Sequence, residues 1–199
     1  MLEKLHQLFD SYVQPVLEYG SEIWSKGREY PDIESVQLGF IKMLMCVKNS
    51  TASCAVYGET GRYPTYIKFC TKVFKYYYRL LYMNPNLIVK KAFLELCKLD
   101  NLGLVKNNWV SDVKMLFEKC NVLNYDKVEK SDIEKFITDV KTKLYTGFET
   151  SCMNDIQQAP VLRSYCKYKQ EFGLEIYLTE ICDPKVRFSL SKLRLSSHP

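Results

Sequence analysis

The sequence predicts an all-α protein, an irregular bundle of about seven to nine helices. Two observations carry this. Gly and Pro are sparse, 8 and 7 in 199 residues, and both are absent from 104 to 146. Apolar residues also recur at steps of three and four through most of the segments between breakers.

The first helix is expected over residues 2–24, where Leu5, Leu8, Phe9, Tyr12, Val16 and Tyr19 share one face. Pro15 removes a backbone donor inside it and should kink it. Pro31 has the N1 position of a second helix, with Asp32 and Glu34 at the positive end of its dipole and an apolar face continuing to about Val47. Ser50 or Thr51 suits the N-cap of a short helix ending near Tyr57.

The most strongly patterned helix spans 64–83, with Ile67, Phe69, Cys70, Val73, Phe74, Tyr77, Leu80 and Leu81 on a broad apolar face. Asn86 can cap a helix through about Leu99, and another runs from Trp109 to about Cys120. Ser131 to Glu134 has the capping-box pattern and opens a long helix through Leu144, with Phe148 as its outer limit. The tail holds a short strand or turn, then a helix from Pro184 to about Leu195. The joint at 121–130 is the expected division between a domain at 1–120 and a second at 121–199.

Between the third and fourth helices the chain reads Val56-Tyr-Gly-Glu-Thr-Gly-Arg-Tyr-Pro64. Gly58 or Gly61 can close one helix in the left-handed conformation, and Pro64 can open the next. The alternative is a phosphate-clamping GXXG loop. That loop belongs in a mixed helix-and-sheet fold, and Glu59 inside it would repel phosphate, so the helix joint is the expected reading.

Composition narrows the function. The net charge is +5 and the pI about 8.6, a mild excess that permits nucleic acid without demanding it. The eight cysteines are never closer than eight residues apart, so no Cys-x(2–4)-Cys zinc half-site exists. They are expected to be reduced, buried and small in an intracellular protein of the nucleus or cytoplasm. No apolar run approaches the ~20 residues of a membrane span. His6 and His198 lie in no nucleophile motif and are expected at the surface and the terminus; no nucleotide-binding loop is present either. Catalytic residues, metal, cofactor and small-molecule substrate are therefore not expected.

What remains is a basic stripe. Lys68, Lys72, Lys75 and Arg79 recur at steps of four, three and four, with Tyr76 and Tyr78 beside them, and Arg62 precedes them. Such a stripe lies against phosphates or forms an ordinary solvated face. Arg62 has a second reading, capping carbonyls at the helix joint. Lys185, Arg187, Lys192 and Arg194 form a second, weaker patch.

Three ordered motifs go further: Tyr19, Gly20, Glu22 and Trp24; Val36, Gln37, Phe40 and Lys42; and Tyr57, Gly58, Glu59, Gly61, Arg62 and Pro64. Together they resemble the thumb and linker that follow the polymerase palm in LINE-type non-LTR retrotransposon reverse transcriptases. Residues 83–160 resemble that family only in composition and in the Trp109 helix. The tail, through 192–198, is similar to the segment before its zinc knuckle.

The resemblance implies a non-catalytic helical segment of such a polyprotein, without the catalytic aspartates of the palm. It would touch the backbone of RNA or an RNA–DNA hybrid during target-primed reverse transcription, with the rest of the polyprotein as partner. The contacts would come from Arg62, Lys68, Lys72, Lys75 and Arg79, and more weakly from Lys185, Arg187, Lys192 and Arg194. The alternative is a helical interaction or scaffold domain, or an inert remnant.

Overall fold

The computed structural model describes residues 2–26, 28, 30–105, 108–122 and 125–195. The chain is all-α. Its helices are α1 (Leu2–Leu8), α2 (Gln14–Leu17), α3 (Ser21–Trp24), α4 (Pro31–Met45), α5 (Ser53–Thr60) and α6 (Thr65–Leu81). They continue as α7 (Ile88–Asn101), α8 (Trp109–Lys119), α9 (Ile133–Gln158), α10 (Ile176–Glu180) and α11 (Pro184–Arg194). Among the described residues there is no strand, only an isolated bridge between Thr60 and Leu174.

Two compact units divide these elements. The first comprises 1–17, 30–65 and 145–199, and the second 18–29 and 66–144. The chain thus leaves and re-enters the first unit twice, and a single cut near 121–130 does not separate the two.

The expected first helix is broken in three. Pro15 has no N–H for the Ser11 carbonyl, and the turn before it widens to a π-helix over Phe9–Val13, where the Gln14 N–H reaches back to the Phe9 carbonyl. Gly20, at φ 65°, then turns the chain into α3. Phe9 is buried and stacks on Phe40 at 4.5 Å, but Leu8, Tyr12, Val16 and Tyr19 are exposed rather than inward. The widened turn shifts the register that a uniform 3.6-residue period assumes.

The other helices follow their sequence signals with shifted ends. Pro31 starts α4 as expected, and Cys46 closes it at φ 56°. Neither Ser50 nor Thr51 caps α5; Ala52 stands at its N-cap, and the helix runs three residues past Tyr57. Leu87, not Asn86, is the N-cap residue of α7, while Asn108 caps α8 by accepting the Val110 N–H at 3.0 Å. A 3₁₀ turn at Lys130–Asp132 leads into α9, which runs ten residues beyond Phe148. Asp183 caps α11 through the Lys185 N–H at 2.8 Å.

In the second unit the core is aromatic. Phe117 of α8 stacks on Phe74 of α6 and on Tyr125, both at 4.3 Å between centroids, and Tyr77 meets Phe117 edge-on. Such pairs add about 0.5–1.5 kcal/mol each beyond the area they bury. Val73, Val113, Ile137 and Val140 fill the remaining space. In the first unit, Ile41, Met45, Val56, Tyr57, Ile156 and Tyr165 form a separate core.

The Gly58–Gly61 segment is the last turn of α5 and its C-cap, so the helix joint is correct and the phosphate loop is not. Gly61 sits at φ 61° with the backbone of 173–175 against it. There the N–H groups of Gly173 and Glu175 reach the Gly58 and Glu59 carbonyls at 3.4 and 2.9 Å, satisfying acceptors that a helix end leaves open. A Cβ on Gly61 would lie 2.7 Å from the Leu174 nitrogen. Gly61→Ala should therefore lower stability by more than about 1 kcal/mol. Gly39→Ala and Gly147→Ala, where a Cβ meets nothing within 4 Å, should raise it by up to about 1 kcal/mol. Urea unfolding midpoints of the three variants check this.

Candidate nucleic-acid interface

The nine cations singled out in the sequence separate by environment. Three arginines are drawn inward, all in the first unit. Arg62 forks onto both carboxylate oxygens of Asp10 and lies 5.9 Å from the Phe9 ring centre; it does not cap the helix joint. Arg187 is 5% exposed and donates to the Ile181 carbonyl at 3.2 Å.

Arg194 donates to Glu59 at 2.5 Å and to Glu175 at 2.9 Å, while Lys169 holds Glu175 at 2.5 Å and the Gly173 carbonyl at 2.8 Å. Glu59 is fully buried. Burial raises its carboxyl pKa above the usual range, against the pull of Arg194. Burial works against the charge on Arg194, but the bond to Glu59 and the charges of both carboxylates outweigh it and raise its pKa. The second patch on α11 therefore reduces to Lys185, exposed, and Lys192, half-buried.

The stripe on α6 belongs to the second unit. Steps of four, three and four over eleven residues keep Lys68, Lys72, Lys75 and Arg79 on one face along ~16 Å of helix. The apolar positions between them face the core, which leaves the cations outside. Glu18 answers two of them, at 3.7 Å from Lys68 and 2.9 Å from Lys72. Glu134 stands 3.8 Å from Lys75, in an ion pair more than half exposed on both sides. Arg79 is exposed and has no ion pair among the described residues.

Two open grooves flank this ridge. One, of about 280 Å³, is lined by Glu22, Lys72, Lys75, Tyr76 and Arg79. The other, of about 410 Å³, is again lined by Lys75 and Arg79, joined by Lys130 and Glu134. The rest of its lining is Tyr78, Tyr82, Met83, Ile133 and Ile137.

Tyr76 and Tyr78 differ from their expected equivalence. Tyr78 is 1% exposed and gives its hydroxyl to the Tyr125 carbonyl at 2.8 Å. Tyr76 is half-buried, edge-on to Trp109 at 5.7 Å. The accessible tyrosine of the larger groove is Tyr82, just past the end of α6, its hydroxyl bonded to the Val128 carbonyl at 2.5 Å. Its place three residues after Arg79 was visible in sequence; that Lys130 would stand nearby was not.

Each of the three sequence motifs contributes contacts within the fold, although Tyr19, Trp24 and Val36 are exposed. Trp24 donates to the Tyr19 carbonyl at 2.8 Å and packs edge-on against Phe69. Gln37, 1% exposed, donates to the Tyr63 carbonyl at 2.9 Å, and Lys42 to the Asn49 carbonyl at 2.7 Å. Gly58 gives Ile156 and Tyr165 room to approach.

Against known proteins, the chain matches no protein-family model, and no curated protein or solved structure is significantly similar to it.

Among the described residues, no group of three or more His, Cys, Asp or Glu could hold a metal ion. No helix among them is long and apolar enough to cross a membrane. Cys70 and Cys152 are buried as expected, but Cys46 and Cys182 are exposed. His6 is half-buried beside Phe40 rather than at the surface, and His198 lies outside the described residues.

Two outcomes follow. Arg194→Met leaves the buried Glu59 without its main charge partner, which should cost about 3–5 kcal/mol. Replacing Glu59 with Leu as well should recover much of that loss, measured by a double-mutant cycle. Separately, burial, with the Arg62 charge added, lowers the His6 pKa from 6.5 to about 4, opposed by Asp10. Between those values the unfolded chain binds the proton and the folded chain does not. This contribution is whole above pH 6.5 and is lost as pH falls toward 4; a chemical-denaturation series should show it flattened in His6→Phe.

Proposed function

We propose that this chain is a non-catalytic helical segment of a LINE-type non-LTR retrotransposon reverse transcriptase. Its role is to contact the sugar-phosphate backbone of RNA or an RNA–DNA hybrid during target-primed reverse transcription. The rest of the polyprotein is its partner.

The observation that carries this reading is the ridge of α6, where Lys75 and Arg79 stand between two open grooves and Lys72 adds a third cation to one of them. Cations at helical spacing on an open face suit a path of phosphates, which fix position without reading sequence. The burial of Gln37, Lys42, Tyr57 and Glu59 from the motifs supports a segment that keeps its own fold. Arg62 and Arg194 drop out of the proposed contacts because they are paired with carboxylates within the chain, and Arg187 because it is buried. Lys68 and Lys72 contribute less than Lys75 and Arg79 because Glu18 already offsets them.

A scaffold or protein-interaction role is the second reading. It is favoured by the exposed apolar Leu8, Tyr12 and Val16 of the first unit, 52%, 73% and 74% accessible.

Binding of single-stranded RNA, RNA–DNA hybrid and duplex DNA across a salt series tests the proposal. Joint neutralisation of Lys75 and Arg79 should reduce the log–log salt slope by about 1.4–1.8, as for two lost phosphate contacts. Glu18→Gln should instead tighten binding, because it frees Lys68 and Lys72. Absence of binding at low salt by the folded chain would leave the scaffold reading standing.

A further inference from the structure

We infer that the larger groove beside α6 is a base-stacking site, so that the proposed interface selects single-stranded over double-stranded nucleic acid. This rests on the proposed function, which requires only phosphate contacts, and goes beyond it to the form of the ligand.

The groove joins two chemistries that a nucleotide also joins. Lys75, Arg79 and Lys130 give its lining three cations against the single carboxylate of Glu134, a balance that suits an anion. The rest of its lining is mainly apolar and includes Met83, Ile133, Ile137 and the Tyr82 ring. Tyr82 is 39% exposed, yet its hydroxyl is tied to the Val128 carbonyl at 2.5 Å. The ring is therefore held at its tip while part of it remains open. Such a ring loses little freedom when a flat ligand packs on it.

A phosphate needs only the cations, and a paired base keeps its faces within the duplex stack. Only an unpaired base can turn its face to Tyr82 while its own phosphate stays on the ridge. Stacking of this kind tolerates any base. The second groove lacks this property, because the Tyr76 ring there is packed against Trp109. An acidic polypeptide would satisfy the cations but has no flat face to use the ring.

The experiment compares a 12-nucleotide single-stranded RNA, the duplex of the same sequence and poly-glutamate on the full chain. Tyr82→Leu, which keeps apolar volume and loses the aromatic face, should weaken single-strand binding about 5- to 150-fold. Duplex affinity and the salt slope should stay unchanged, and Tyr82→Phe, which keeps the aromatic face and loses only the hydroxyl tether, should weaken single-strand binding less than Tyr82→Leu. Equal single-strand affinity in a folded Tyr82→Leu chain overturns the inference alone. Loss of single-strand and duplex binding in the original protein overturns the phosphate ridge and the stacking site together. Tyr82-dependent binding of poly-glutamate assigns the groove to acidic polypeptides and also overturns the inference. Should Tyr82→Leu fail to fold, Tyr82→Trp decides. Its added fluorescence should be quenched by the single strand and not by the duplex, and equal quenching by both overturns the inference.

Discussion

The first unit depends on the closeness with which the 173–175 backbone approaches the end of α5. At that point the last carbonyls of a helix, which have no partner within it, are answered by a chain segment more than a hundred residues away. The approach requires no side chain at Gly61 and little at Gly58. It also removes Glu59 from water, and a buried carboxylate requires compensation. Arg194 supplies it directly with the Lys169 charge beside it, and the same two cations hold Glu175, whose carboxylate works against Glu59. One turn of helix thereby fixes the position of α11, of the segment leading into α10 and of the residues around Lys169. The network gives these elements a single register more than it gives net stability, because apolar residues of similar volume can be as stable as a buried ion pair.

The choice between arginine and lysine follows the same physics. Among the nine cations noted in the sequence, those drawn into ion pairs or carbonyl bonds of the first unit are all arginines. A planar guanidinium offers several donors in a fixed fork and is more weakly hydrated than an ammonium, so it is suited to a crowded, partly dry site. The cations on the open face of α6 are lysines apart from Arg79. Lysine's compact charge remains in water while its stem covers the apolar edge of the core. Identity of the cation therefore separated structural from accessible positions better than spacing along the helix did.

Much of the fold was legible because its signals are local. Pro31 and Pro184 mark helix starts through their own backbone geometry, and the apolar face of α6 states its period without ambiguity. The failures share a cause as well. The π-turn before Pro15 changes which residues face inward, and no fixed period anticipates it. Arg62 and Arg194 read as surface cations because their partners lie 52 and 135 residues away. Tyr78 read as accessible because the segment that covers it, around Tyr125, sits in a part of the sequence with weak patterning. At the candidate site the cations were legible and their neutralisation by Glu18 was not, since Glu18 belongs to a different helix region with no local mark of its partners.

The division of the chain between the two units has a consequence for biosynthesis. A ribosome releases every residue of the second unit once Leu144 has emerged, so that unit can close while translation continues. The first unit closes later. Its α4 and α5 emerge early, but the arginine that compensates Glu59 is residue 194, which follows that carboxylate by 135 residues. Until then a carboxylate destined for burial and the faces of α4 and α5 that later pack in the core must wait in solution, where chaperones rather than the chain itself would have to shield them.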